Sequence, residues 1–313
     1  MDLVRVRVVP ESPWLTPWQS DTLAGLLCWT AARLHGGEWL KREIIEPALR
    51  GEPRFVLSDA FPEDCLPLPL ALRLADWPAE SRKQVKRARW LRWDAFRSWQ
   101  QGSEIQLEQM VASQGITSYS ALRNCISRAE NSTGTRGGLF PKEERFLDSG
   151  MAYLSVYARL AAGFRQEFLE LLLDLARGGF GADVSVGKGQ FRLDSDLENV
   201  TELDDTPDAG GCVALSTFQP SRNDPTGGYW EAFTKYGKLG PDFGLESVFK
   251  RPLVMLRPGA CFRDPVPRGW MGRAVPMSEL LAPEVGAELS ARGVSIAHLA
   301  HGLTVSVSSA RWP

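Results

Sequence analysis

The order of patterned segments constrains the fold more than any single residue does. Leu3–Val9, LVRVRVV, alternates apolar and basic residues, which is the period of a half-buried strand. Ser20–Leu34, SDTLAGLLCWTAARL, carries Leu23, Leu26, Leu27, Thr30 and Leu34 at helical spacing, with Ser20 or Asp21 placed to cap it. A second helical stretch, Glu38–Leu49, follows, and RFVLSDAFP (Arg54–Pro62) is a short strand running into a turn. Patterning returns near Met151. MAYLSVYARL (Met151–Leu160) reads as a strand, FRQEFLELLLDLARGG (Phe164–Gly179) as a helix ended by glycines, and Asp183–Leu193 as a strand interrupted by a glycine turn. The order is strand, helix, strand, an insertion over about residues 63–148, then strand, helix, strand. Without the insertion this is the split βαβ arrangement of a ferredoxin-like α+β domain, one antiparallel sheet with helices on one face.

That first domain occupies residues 1–195. Asp194–Gly211 is acidic and poor in apolar residues, as a connector is. Residues 210–313 are mostly strand-like, with helical signal only over about 278–292, and predict a smaller β-rich domain. The composition, 43% hydrophobic and 24% charged over 313 residues, is that of a soluble globular protein. No apolar run is long enough to cross a membrane, and MDLVRVRVVP lacks the core of a signal peptide, so the expected compartment is the cytoplasm. Cys28, Cys65, Cys125, Cys212 and Cys261 are odd in number, widely spaced and without a CxxC, so buried free thiols are expected.

A net charge of −2 argues against a generic nucleic-acid binder, but a local basic patch still holds a polyanion. Three stretches are candidates. GADVSVGKGQFRL (Gly181–Leu193) sets Gly187, Lys188 and Gly189 in a bare, basic turn; it lacks the spacing of a Walker loop or a dinucleotide fingerprint. Either the glycines serve positive-φ turn geometry, or their N–H groups and Lys188 meet a phosphate backbone. Ser81–Trp99 holds seven basic residues and one acid on a predicted helix, interleaved with Trp90, Trp93 and Trp99. Cations with flat rings suit single-stranded nucleic acid; equally, the tryptophans at helical spacing pack inward and leave a solvated basic face. The polar loop Arg123–Phe140 carries Arg123, Asn124, Arg128 and Arg136, groups suited to an irregular RNA strand. Catalytic signal is thin. His298 and His301 form HxxH, one turn apart but without the glutamate of a zincin, no nucleophile elbow exists, and His35 fits a helix C-terminus. No catalytic residue, metal ligand or cofactor is expected.

SDTLAGLLCW, LSDAFP followed by LPLP, NCISR…TGTRGGLF, GADVSVGKGQF and FKRPLVMLRPGACF occur in an order and spacing that together resemble one family. It is the RAMP-superfamily subunit that holds the 5′ end of the guide RNA in type III-A (Csm-type) CRISPR complexes, and the resemblance spans about residues 20–265. It implies two ferredoxin-like (RRM-like) domains, the second degenerate. It implies a non-catalytic grip on the repeat-derived 5′ tag of the CRISPR RNA (crRNA). Its implied partners are the large polymerase- and cyclase-like subunit and the backbone RAMP subunit. The family's glycine-rich loop falls on Gly187, Lys188 and Gly189, its central arginine loop on Asn124 and Arg128, and its basic-proline motif on Lys250, Arg251 and Pro252; Arg123 and Arg136 flank the central loop. Phe61, Phe140 and the tryptophans are candidates for stacking on bases. Departures are Ala24 where an aromatic is common, Ser127 where Asp is common, and Val184 and Val186 where polar residues are common. Two other readings stay open: a related RAMP endoribonuclease with His35 as general base, and a scaffold that touches no RNA.

Overall fold

The computed structural model describes residues 1–112, 115–124, 126, 132, 138–240, 243, 249–264, 266 and 268–309. The chain starts with β1 (Asp2–Pro10), a long helix (Ser20–His35) and β2 (Phe55–Pro62). The insertion holds β3 (Cys65–Pro67), β4 (Ala88–Arg92), β5 (Met110–Ala112), β6 (Ile116–Asn124) and β7 (Leu139–Leu147). Then come β8 (Leu154–Leu160), a second long helix (Arg165–Gly178), β9 (Phe191–Leu193) and β10 (Glu198–Asn199). The remainder is β11 (Ala209–Ala214), β12 (Gly228–Tyr229), β13 (Ala232–Lys235), β14 (Leu253–Leu256), β15 (Cys261–Arg263), β16 (Trp270–Pro276), a helix (Pro283–Ala291) and β17 (Ala297–Ser308). The molecule is thus mixed α and β, with several antiparallel sheets.

The first sheet runs β2-β8-β1, with β9 and β10 both on the far side of β1, and every pairing is antiparallel. The alternation of β1 sends Val4, Val6 and Val8 to the face covered by the two long helices, where they meet Leu27, Phe168 and Leu171. Leu3 lies on the other face. With Val56, Phe61 and Tyr157 it packs against Val213, Leu303 and Val305 of the second sheet and against Leu215 just after β11. Because both faces are covered, β2 and β8 are buried along their whole length and do not alternate. The second sheet, β12-β15-β11-β17-β16, is also antiparallel throughout. Arg159 crosses the seam, its guanidinium paired with Asp204 and donating to the Thr304 carbonyl at 3.0 Å.

Four expectations need correction. Ser81–Trp99 is not one helix: Arg82–Arg87 and Trp93–Gln100 are helical, and β4 separates them. The pairing of Leu91 with Leu66 of β3 overrides the helical pattern, and Phe96 and Trp99 are buried while Trp90 and Trp93 pack on the same core. Ser20 does not cap the first helix; Ser20 is its first residue, and its N–H is received by Asp59 of β2. His298 and His301 lie on a strand, so a spacing of three puts them on opposite faces, His298 toward Asp21 and His301 against Trp270. Asp183–Leu193 is a 3₁₀ turn, Val184–Val186, and only its last residues form a strand. Among the described residues no cluster could hold a metal ion, and no helix is long and apolar enough to cross a membrane.

Candidate nucleic-acid interface

The structure brings two of the three basic stretches together. The ribbon of β6 and β7, paired from Ile116↔Leu147 to Asn124↔Leu139, extends beside the turn after the second long helix. Lys142 and Glu144 share one face of β7. Lys142 pairs with Asp183, and Glu144 receives Lys188 (2.9 Å) from the glycine turn and Arg123 from β6. Glu144 is 6% exposed. The Lys188 ammonium, and after it the Arg123 guanidinium, hold its carboxyl below the ordinary glutamate range. One buried carboxylate thus fixes two cations from different elements at one place. The Lys188 side chain is only 18% exposed, so in the free chain it points inward rather than into solvent.

The glycines divide by cause. Gly189 has φ +67°, and a Cβ there would overlap the Phe180 carbonyl oxygen; its own N–H donates to Pro13 at 2.8 Å. Its identity is a packing requirement. Gly187, at φ +82°, has open space around it. Beside it Val186 is 65% exposed, so this corner of the turn offers bare backbone to the outside. Asn124 is exposed at the end of β6, where the ribbon leads toward its tip. Arg128 and Arg136 lie outside the described residues.

Lys250 and Arg251 do not join this group through any contact of the described residues. Lys250 lies partly buried near Asp21 and Cys28 of the first long helix, and burial lowers its pKa. Around it Lys235 donates to Asp21 (2.6 Å) and His298 stands 3.0 Å from the same carboxylate. Burial alone would raise Asp21, but His298 and Lys235 hold it down at about 2. Lys250 therefore belongs to a charged seam between the first helix and the second half of the chain. Arg251 is exposed, with its backbone N–H donated to Leu280 at 2.7 Å. Phe61 is likewise no stacking platform: it is 1% exposed and meets Trp90 edge to face.

Sequence reasoning missed a second concave surface. A cleft of about 200 Å³ opens between the insertion and the second half, lined by Arg73, Arg89, Trp90 and Arg257 above Leu68 and Pro258. LSDAFP, LPLP and the RPGACF end of the last motif all contribute to it through Asp59, Pro67 and Arg257–Ala260. The signal lay in motifs far apart in sequence; the arginines themselves carry no spacing that links them.

No protein-family model matches the chain, and no curated protein matches it significantly. Solved structures do. A Csm1–Csm4 cassette in complex with pppApA contains a chain with TM-score 0.61 and 16% identity, covering 98% of this chain and 98% of that one. The cassette with AMPPNP matches at TM-score 0.62 and 15% identity, again over 98% of each chain. A Csm3–Csm4 subcomplex of the type III-A CRISPR-Cas interference complex matches at TM-score 0.61 and 12% identity, over 96% of this chain and 98% of that one. The component these assemblies share is Csm4, and nearly end to end this chain is similar to it in fold.

Proposed function

We propose that this chain is a non-catalytic, cytoplasmic subunit of a type III-A (Csm-type) CRISPR-Cas complex. It grips the repeat-derived 5′ tag of the crRNA and docks the large polymerase- and cyclase-like subunit onto the backbone RAMP subunit. The observation that carries the reading is the likeness along nearly the whole chain to the component shared by assemblies with two different neighbours, Csm1 and Csm3. The fold supports two ferredoxin-like domains: the first sheet has the order expected of a strand–helix–strand pair repeated, and the second is an antiparallel sheet with its helical part reduced. The glycine turn supports the RNA grip. Lys188 and Arg123 are already gathered on Glu144 beside the open backbone of Gly187, so a phosphate arriving there finds two cations at one place that need only turn from the carboxylate to meet it. The histidines give no support to cleavage. His35 lies against Trp39 near Glu170, and His298 and His301 are buried in β17, away from the glycine turn.

The test is guide loading. Arg128→Ala or Lys188→Ala in the native complex is expected to weaken hold on the tag about tenfold, the value of one charge-assisted contact. Sequencing of co-purified guides and their 5′ ends reads the effect. Intact assembly with unchanged guide occupancy in both variants and in the double variant would remove these residues from the role.

A further inference from the structure

The cleft between the insertion and the second half shares no residue with the glycine turn. Its walls are tied by backbone bonds. Leu68 N–H donates to Arg89 (2.9 Å), Leu70 N–H to Gly259 (2.8 Å), and Gly259, at φ +88°, brings its own backbone close to Leu68. Arg73 spans the mouth, donating to the Ala88 carbonyl at 3.1 Å and to Glu231 at 3.3 Å. The other two arginines have no acidic partner among the described residues. Arg89 is exposed, and Arg257 is exposed with its guanidinium 4.4 Å from the Phe233 ring centroid. Asp59, at the back, has both oxygens occupied by Ser20 and Thr217. Leading into Arg89, the helix Arg82–Arg87 presents Lys83, Lys86 and Arg87 to solvent, also without an acidic partner among the described residues.

We propose that this cleft and its basic approach form a second single-stranded nucleic-acid surface, separate from the tag site. One base enters against Trp90 with Leu68 and Pro258 beneath it. Arg89 and Arg257 take the phosphates on either side, and Lys83, Lys86 and Arg87 follow the backbone outward. Three features favour this ligand over an acidic protein. The cations surround a concavity rather than a flat face. The floor is apolar and about the size of a single base rather than a drug-sized ligand. The groups at the mouth are guanidinium planes beside an aromatic ring, which pair with phosphate and stack on bases.

The experiment uses the full chain with fluorescent oligouridine, oligothymidine and polyglutamate, followed by anisotropy across a salt series. The wild type is expected to bind a single strand, and its preference between the two sugars assigns RNA or DNA as the source. Arg89→Ala with Arg257→Ala is expected to weaken binding at least tenfold and to reduce the slope of log K against log salt by about 1.4, about 0.7 per phosphate contact. Photo-crosslinking with thiouridine oligomer is expected to mark the peptide containing Trp90, and to do so equally in Arg123→Ala with Lys188→Ala, the pair that tests the tag site. An unchanged affinity and slope in the Arg89/Arg257 variant overturns the proposal. So do crosslinks confined to the glycine turn, or binding of polyglutamate alone.

Discussion

Asp59→Ala is expected to destabilise the protein by about 3–5 kcal/mol, while Asp59→Asn stays within about 1 kcal/mol of the wild type, each read as a urea midpoint. Asp59 is 8% exposed and sits at the irregular point of β2, where the register slips between Leu57 and Ala60. Its Oδ1 accepts from the Ser20 N–H (2.9 Å) and the Thr217 N–H (2.7 Å), and its Oδ2 accepts from Thr217 Oγ1 (2.7 Å). Ser20 Oγ closes the circuit by donating to the Thr217 carbonyl at 2.7 Å. One carboxylate thus joins the first sheet, the start of the first long helix and the second half. Alanine would leave two backbone donors buried without partners, each costing about 1–3 kcal/mol. Burial raises the pKa of Asp59 against the pull of those donors, so its charge is not what the fold needs. Asparagine keeps an accepting oxygen for both N–H groups, and its amide can donate to the Thr217 hydroxyl. Equal loss in the alanine and asparagine variants would show that charge, not acceptance, holds the seam.

This contact illustrates what the sequence could and could not disclose. Periodicity located β1, β2, β8 and both long helices, because burial on one stripe or face leaves a local record at spacing two or three to four. The same logic placed a helix start at Ser20. It named the wrong capping group, because the acceptor comes from Asp59, distant in sequence. Positive φ at the glycine turn was legible for a similar reason, since glycine marks what other residues avoid. The partner of Lys188 was not, because Glu144 carries no mark that separates it from any surface glutamate. In Ser81–Trp99 the helical spacing was real but outweighed: Leu91 gains more by pairing in β4 than by continuing a turn, and the tryptophans follow the core inward. The cleft of Arg73, Arg89 and Arg257 exists only once the insertion closes on the second half.

The second large effect is a loss of stability in acid centred on His301. Its ring is 6% exposed, lies edge to face on Trp270 at 5.0 Å, and its Nε2 has no hydrogen-bond partner. Burial alone lowers its pKa from 6.5 to about 4. The fold therefore holds the neutral ring, and the unfolded chain takes up the proton first. His301 contributes its full share of stability above pH 6.5, and that share disappears as the pH falls through about 4. Across that window the loss amounts to about 3 kcal/mol. His298 shifts in the same direction, because burial outweighs the neighbouring Asp21. Asp21, held at about 2, keeps its charge in the fold until the pH falls well below this window. His301→Phe retains an aromatic ring against Trp270 and removes the titration. Urea midpoints measured from pH 7 to pH 4 should fall steeply for the wild type and less steeply for His301→Phe, by up to about 1.4 kcal/mol per pH unit. Parallel curves for the two proteins would mean that His301 reaches protons without disturbing β16 and β17, and that the acid response belongs to the seam of Asp21, His298 and Lys250.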